Sequence, residues 1–508
     1  MKPSIELFNL IKSLTKSEKR FFKLSSSLQS GDKNYLKIFD FIESQSIYDE
    51  AKLKEDFKSE IFVNHLPSEK NHLYKLILKS LRSFYSEQSI SSVLKQEIKN
   101  VEILYNKALY RECEKFVSRA KLQARQNEKF YYWHELISWE KKLIEETYDS
   151  REFSTNLEGL MQEEEMVIEK LRNLAEYQVI YSKINLVFRS GGFTRTDEER
   201  KVVDEIANYH LIKGKNTAIS TRASSMCYYI KGLCAATNRN FEDSFQFFNR
   251  TREILDHNPE IKEDSGQRYV MTLSHLLRTY IMSKEFEKAK QLITDLKSLE
   301  GTKGFNSTDL MVRIFTNSSN LELTLLHAQG AFQESVSLIP EIERLQQEYG
   351  EKISKEQEVL LTYSKAYSFF GSGDFKKALS YINVVLNDNE QNLRQDIYSF
   401  SRLFNIVLHF ELENYDFLEY LIKSTNRYLN KKERSFEIEN VCIRNIRKIA
   451  KLSDNSVILK TWQEMKVELN ELLNNRNEKV ILEYFNITAW VESKIEKSTL
   501  SEAVKRLL

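Results

Sequence analysis

The residues whose types and spacing could do chemistry fall in a few short segments. "TKSEKRFFK" sets Lys16, Lys19, Arg20 and Lys23 beside Phe21 and Phe22, cations and rings of the kind that hold phosphates and stack on bases. On a helix the four cations share one face while Phe21 and Leu24 point elsewhere, so a solvated face above a buried stripe accounts for the pattern. Glu18 in their midst and a net charge of +1 leave little phosphate-driven attraction, which argues against nucleic acid as a partner. "RSGGFTRTDEER" places Gly191 and Gly192 between Arg189 and Arg195, and glycine turns ahead of helices can cradle phosphate. It lacks the Lys-Ser/Thr and the preceding strand of a P-loop; Thr196 with Glu199 reads better as a capping box.

Metal and nucleophile signals are as thin. Among eight histidines only His65 and His72 approach metal spacing. Cys113, Cys227, Cys234 and Cys442 are scattered; Cys227 and Cys234 lie two helical turns apart without a second close pair to complete a zinc site. They read as reduced thiols in a core. Glu163 to Glu165 form a helical charge run expected on the surface. No GxSxG, catalytic-cysteine or kinase signature occurs. The expectation is a protein that is not an enzyme and uses no cofactor or metal.

The elements that must position any functional side chain follow from composition. At 508 residues the chain exceeds one compact core, implying several domains or an elongated array. Only 13 Gly and 4 Pro occur, a poverty that long helices tolerate and a turn-rich sheet fold does not. "MKPSIELFNLIKSL" has no uninterrupted apolar run and no window reaches a spanning length, so the expectation is a cytoplasmic protein without membrane insertion.

In "LLTYSKAYSFFGSGDFKKALSYINVVLND" apolar residues recur at three and four on both sides of a turn. Gly371 and Gly373 are expected to end one helix in a left-handed conformation, and Asp374 to cap the next. Phe375 is expected to fill the gap between paired helices, and Ala378 to let backbones approach. The arrangement recurs at Phe241, Phe286, Phe332 and Tyr415, upstream at Tyr110, and more weakly at Phe153 and Phe193. Three residues after the aromatics come Cys113, Ser244, Ala289, Ser335, Ala378 and Leu418. Seven further on come Ala120, Thr251, Leu296, Ile342, Val385 and Thr425. The eight aromatics stand 40 to 48 residues apart, a period that marks a solenoid.

Here the chain resembles the tetratricopeptide repeat family, most closely in the units of Phe241 and Phe375, with Gly232 or Ala366 nine positions before the aromatic and Ser244 or Ala378 after it. The resemblance covers about residues 95 to 450, in units longer than that family's usual 34 residues. It implies an all-α fold, a right-handed α-solenoid of about eight helical hairpins over residues 93–452. An N-terminal helical domain (1–92) precedes it, with a Thr15/Glu18 capping box and a helix entered through Pro67. C-terminal capping helices (453–508) follow. In that family the first helix of each hairpin lines an inner groove. Carried over by distance from each turn aromatic, the groove positions are Tyr181, Asn185, Arg189, Tyr229, Arg278, Asn317, Asn320, Tyr363 and Tyr367. The alternative for these tyrosines is packing between hairpins. The implied function is a scaffold whose groove binds a protein or peptide; the other reading is a cytoplasmic regulator with an N-terminal effector domain and a repeat sensor.

Overall fold

A computed structural model describes residues 5–27, 34–146, 153–191, 194, 197–388, 394–432, 436–475 and 478–508. Among the described residues the chain is all-helical, without a strand. It divides into two compact units, Met1–Val167 and Ile168–Leu508.

One turn recurs throughout. A residue at positive φ closes a helix at Ala108, Glu128, Arg239, Lys284, Gly330, Gly373 and Glu413, with φ between 48° and 90°. Two residues later a helix opens, at Tyr110, Phe130, Phe241, Phe286, Phe332, Phe375 and Tyr415. In each case the N–H of the intervening residue reaches back to the carbonyl five positions earlier, as Asp374 does to Phe369 (2.9 Å) and Asn240 to Ala235 (2.9 Å). That bond satisfies a carbonyl left open by the helix end. The intervening residue can cap the new helix as well: Asp374 Oδ1 accepts from the Lys377 N–H (3.0 Å) and Asn240 Oδ1 from Asp243 (3.2 Å). Two residues therefore reverse the chain.

What the turn places against the preceding helix is the residue three after the aromatic. Cys113, Ser244, Ala289, Ser335, Ala378 and Leu418 are all buried, as are Ala120, Thr251, Leu296, Ile342, Val385 and Thr425 one face-repeat later. The aromatics themselves vary: Phe332 is 1% exposed, Phe375 is half-buried, and Phe241 and Tyr415 are 36% and 41% exposed. The expectation that the ring fills the interhelical gap therefore holds for Phe332 and not for Phe375, which lies tilted against Phe370 at 5.3 Å. Gly371 also differs from expectation. It is the last residue of helix Lys355–Gly371, not a left-handed terminator, and a Cβ there would lie 2.0 Å from the Phe332 ring. Gly232 plays the same part toward Phe248. Phe193, Arg195 and Thr196 lie outside the described residues.

In Met1–Val167, helices Glu6–Ser13, Lys16–Ser27, Asn34–Ser44 and Leu66–Phe84 enclose a core of Ile11, Phe22, Ile38, Phe39, Ile42, Leu73 and Ile77. The Thr15/Glu18 box forms: the Thr15 N–H donates to Glu18 Oε2 (2.6 Å) and the Glu18 N–H to Thr15 Oγ1 (3.3 Å). Helices Ile90–Asn106, Tyr110–Gln126 and Phe130–Glu146 then pack in succession. Helix Phe153–Gly191 is continuous over 39 residues where the sequence suggests the second helix of one hairpin and the first of the next. In Ile168–Leu508 the first helices pack on their partners, and from Gly266–Met282 onward each also packs on the next first helix: Gly266–Met282 on Thr308–Ala328, then Lys355–Gly371, Gln395–Glu411 and Glu437–Ile449.

Two stability measurements follow. Gly371→Ala should cost about 1–3 kcal/mol in denaturant unfolding and Phe332→Ala about 3–5 kcal/mol. The double variant should be no worse than Phe332→Ala alone, because the ring that the new methyl would strike is gone; simple additivity would refute the contact. Glu413 holds its left-handed conformation at a steric disadvantage, so Glu413→Gly should raise stability by about 0.5–1 kcal/mol, read as a higher midpoint in the same assay.

Candidate functional site on the first helices

Tyr181, Asn185 and Arg189 lie on helix Phe153–Gly191, Tyr229 on Thr221–Thr237, Arg278 on Gly266–Met282, Asn317 and Asn320 on Thr308–Ala328, and Tyr363 and Tyr367 on Lys355–Gly371. Spacings of three and four put these side chains on single faces of their helices. The nine residues separate into two groups.

The later group meets the chain's own C-terminal segment. A 3-10 helix, Glu478–Glu483, leads into helices Ile487–Glu496 and Leu500–Arg506. The bend between them lies against the first helices. Tyr363 donates its hydroxyl to the Tyr484 carbonyl (3.2 Å), and the Asn486 N–H donates to the Tyr367 hydroxyl (3.2 Å). Phe485 packs on Tyr367, Phe370 and Phe404 with ring centroids 5.5–6.1 Å apart. Glu483 pairs with Arg239 at 3.0 Å and with Arg278 at 3.6 Å. The Tyr484 hydroxyl reaches the fully buried Asp396, which also takes Arg394 at 2.7 Å. Further along, the Trp490 indole donates to Glu411 (2.5 Å) and the Ser501 hydroxyl to the Gly330 carbonyl (2.5 Å). Asn320 is buried and accepts from the Ser364 hydroxyl at 2.7 Å. Thus Tyr363 and Tyr367 are packed and satisfied by a segment more than a hundred residues away. Residues 478–508 reach back well beyond the last hairpin that a terminal cap would cover.

The earlier group has no such cover from that segment among the contacts of the described residues. Tyr181 and Tyr229 pack together with centroids 5.9 Å apart. Tyr181, Asn185 and Asn317 are half-buried and Arg189 is exposed, its Nη2 2.7 Å from Glu356. Asn317 donates to the Arg313 carbonyl (2.8 Å). The structure adds three arginines to this row. Arg222 pairs with Asp264 at 2.7 Å and Arg313 with Asp309 at 2.9 Å. Arg268 donates to the Ser225 hydroxyl at 2.8 Å. Arg268 shares a face with Met271, His275 and Arg278 at intervals of three and four, a signal present in the sequence once Arg278 is taken as a reference point.

Potential catalytic groups are spoken for elsewhere. The four thiols are buried; burial raises Cys113 and Cys227 and pushes Cys234 up to about 12, far from a thiolate at neutral pH. Among the described residues no group of three His, Cys, Asp or Glu side chains is placed to hold a metal ion. His72 lies edge-on to Tyr35. In the "TKSEKRFFK" helix, Lys19 is 3.2 Å from Glu43, and Lys23 is 2.8 Å from Asp40 and 3.0 Å from Glu43, so carboxylates already meet these cations. The Glu163 run is also engaged, against the expectation of a free surface: Glu163 accepts from the Trp133 indole and pairs with Lys121, and Glu164 pairs with Lys141.

His275 stacks on Phe248 at 4.3 Å, and His327 donates to or accepts from the Ser368 hydroxyl at 2.7 Å. Burial pushes both down from 6.5 to about 3, with Arg278 adding to the effect at His275. The unfolded chain binds these protons first, so stability is full above pH 6.5 and declines as pH falls toward 3, by up to about 1.4 kcal/mol per pH unit for each histidine. Unfolding midpoints at pH 7.5 and 5.5 should differ accordingly, and His327→Gln should reduce the difference; an unchanged pH dependence would contradict the assignment. Among the described residues, no helix is long and apolar enough to cross a membrane.

Compared with protein-family models, the chain matches none, and no curated protein matches its sequence significantly.

Proposed function

We propose that the hairpins form a right-handed tetratricopeptide-like solenoid and that the protein is a cytoplasmic, non-enzymatic scaffold whose inner face binds a partner protein. The stacking of first helix on next first helix and the repeated two-residue turn support the solenoid. One observation carries the functional reading: the first-helix face already receives a peptide in cis. Residues 483–486 are held there by a carboxylate on arginines, a carbonyl and an N–H on tyrosine hydroxyls, and a ring among rings. The same kinds of side chain continue along the row at Tyr181, Asn185, Tyr229 and Asn317. Aromatic and arginine side chains of this kind dominate binding energy at interfaces. The buried thiols suit a reducing compartment.

The test is affinity capture from the native host with the full chain. A partner should be retained by the native chain and by Lys290→Ala, which changes an exposed side chain on a second helix. Tyr181→Ala combined with Asn317→Ala should lose it. Recovery of the chain alone, or equal capture by all three, would defeat the proposal.

A further inference from the structure

Five of the arginines on the first helices and their turns that run from Arg189 to Arg313 have an acidic neighbour; Arg268, in the same stretch, does not. Arg189 has Glu356, Arg222 has Asp264, Arg239 and Arg278 share Glu483, and Arg313 has Asp309. Arg268 is half-buried and, among the described residues, has no carboxylate within ion-pair distance. Its one hydrogen bond goes to the neutral Ser225 hydroxyl, which is itself fully buried.

Such a cation is costly to hold. Removing a guanidinium from water without a counter-ion is unfavourable, and the cost is offset only by hydrogen bonds and nearby dipoles. Tyr181 and Tyr229 lie within electrostatic range and favour the charge; Arg222 opposes it. Burial still dominates, lowering Arg268 to about 10 from 12.5. The hydroxyls of Tyr181 and Tyr229, within electrostatic range of the guanidinium, make no hydrogen bond to another described residue. A fork of N–H donors and two phenols thus stand on three first helices, Tyr229 almost wholly buried and Tyr181 and Arg268 half-buried.

We propose that Arg268, with the hydroxyls of Tyr181 and Tyr229, is a receptor for an aspartate or glutamate side chain in an acidic segment of the partner. The planar guanidinium fork matches a carboxylate with two parallel bonds. The precedent is in the same molecule: nearly three helical turns along the same helix, Arg278 takes the Glu483 carboxylate from a peptide lying on the row. The assignment rests on the proposed inner-face function and specifies what that face recognises.

The probe is fluorescein-labelled hexaglutamate added to the full chain at low salt and read by fluorescence anisotropy. The native chain should bind it. Arg268→Gln should weaken binding at least tenfold, Arg268→Lys less, and Tyr181→Phe with Tyr229→Phe severalfold. Free glutarate should displace the probe at lower concentration than inorganic phosphate does. No binding to the native chain, equal binding by Arg268→Gln, or more effective displacement by phosphate would each overturn the proposal. Should Arg268→Gln fail to fold, phenylglyoxal modification of the native chain replaces it. Hexaglutamate should slow modification of Arg268 in the digested peptide, and an unchanged rate would overturn the idea. A captured partner that ignores Arg268→Gln overturns this site alone. Hexaglutamate binding without any captured protein leaves the site standing and defeats the scaffold reading.

Discussion

The seven two-residue hairpin turns each depend on one backbone residue held where L-amino acids are disfavoured. With that residue left-handed, its successor bonds back to the helix it has just left and opens the next helix without a linker. So short a reversal dictates what comes fourth in the new helix, because that position faces the old one at close range. Five of the six sequence-marked positions are Cys, Ser or Ala. Where the residue is polar, its hydroxyl is used: Ser244 donates to the Gly232 carbonyl at 3.3 Å and Ser335 to Phe332 at 2.7 Å. Glycine on the opposing helix extends the same logic, since Gly232 and Gly371 let the rings of Phe248 and Phe332 occupy space that a Cβ would take.

The close stacking of first helices creates a continuous row of side chains, and the C-terminal segment decides which part of it stays open. Val480, Ile481, Phe485, Ile487 and Trp490 are each no more than 2% exposed. At about 1.5–3 kcal/mol for each large side chain, their burial contributes on the order of 10 kcal/mol, as much as the whole stability of many domains. A segment held that firmly is part of the core. It does not act as a lid that a ligand lifts, and the face beneath it is not available for exchange. What it shows is the chemistry that this face accepts.

Much of the hairpin pattern was legible because it is local. Gly330 and Gly373 mark left-handed positions, and the residues three and ten after Tyr110, Phe241, Phe286, Phe332, Phe375 and Tyr415 are buried as their spacing requires. The turns at Ala108, Glu128, Arg239, Lys284 and Glu413 carry no glycine, so their conformation has no signature in residue type. The turn before Phe130 was missed for that reason, and a 20-residue interval from Tyr110 falls outside the longer period. The status of Tyr363 and Tyr367 was harder still. The resemblance to tetratricopeptide repeats puts them on an inner row, but only the fold brings Tyr484 and Asn486 there from 121 and 119 residues away.

Charge illustrates the same limit and leads back to the site. Seventy-five cations against seventy-four anions look like a chain with no electrostatic preference. That balance is assembled mostly from distant pairs. Asp309 stands four residues before Arg313, yet Glu483 reaches Arg239 across 244 positions. Neutrality summed over the sequence therefore says nothing about any single cation, and Arg268 is distinguished only once its neighbours have been matched. Arg189, Arg222, Arg278 and Arg313 are already paired, so on the proposed reading an anion gains most at Arg268. On that proposal the guanidinium sets where along the face an extended acidic ligand comes to rest, while the tyrosines and asparagines around it set how it lies.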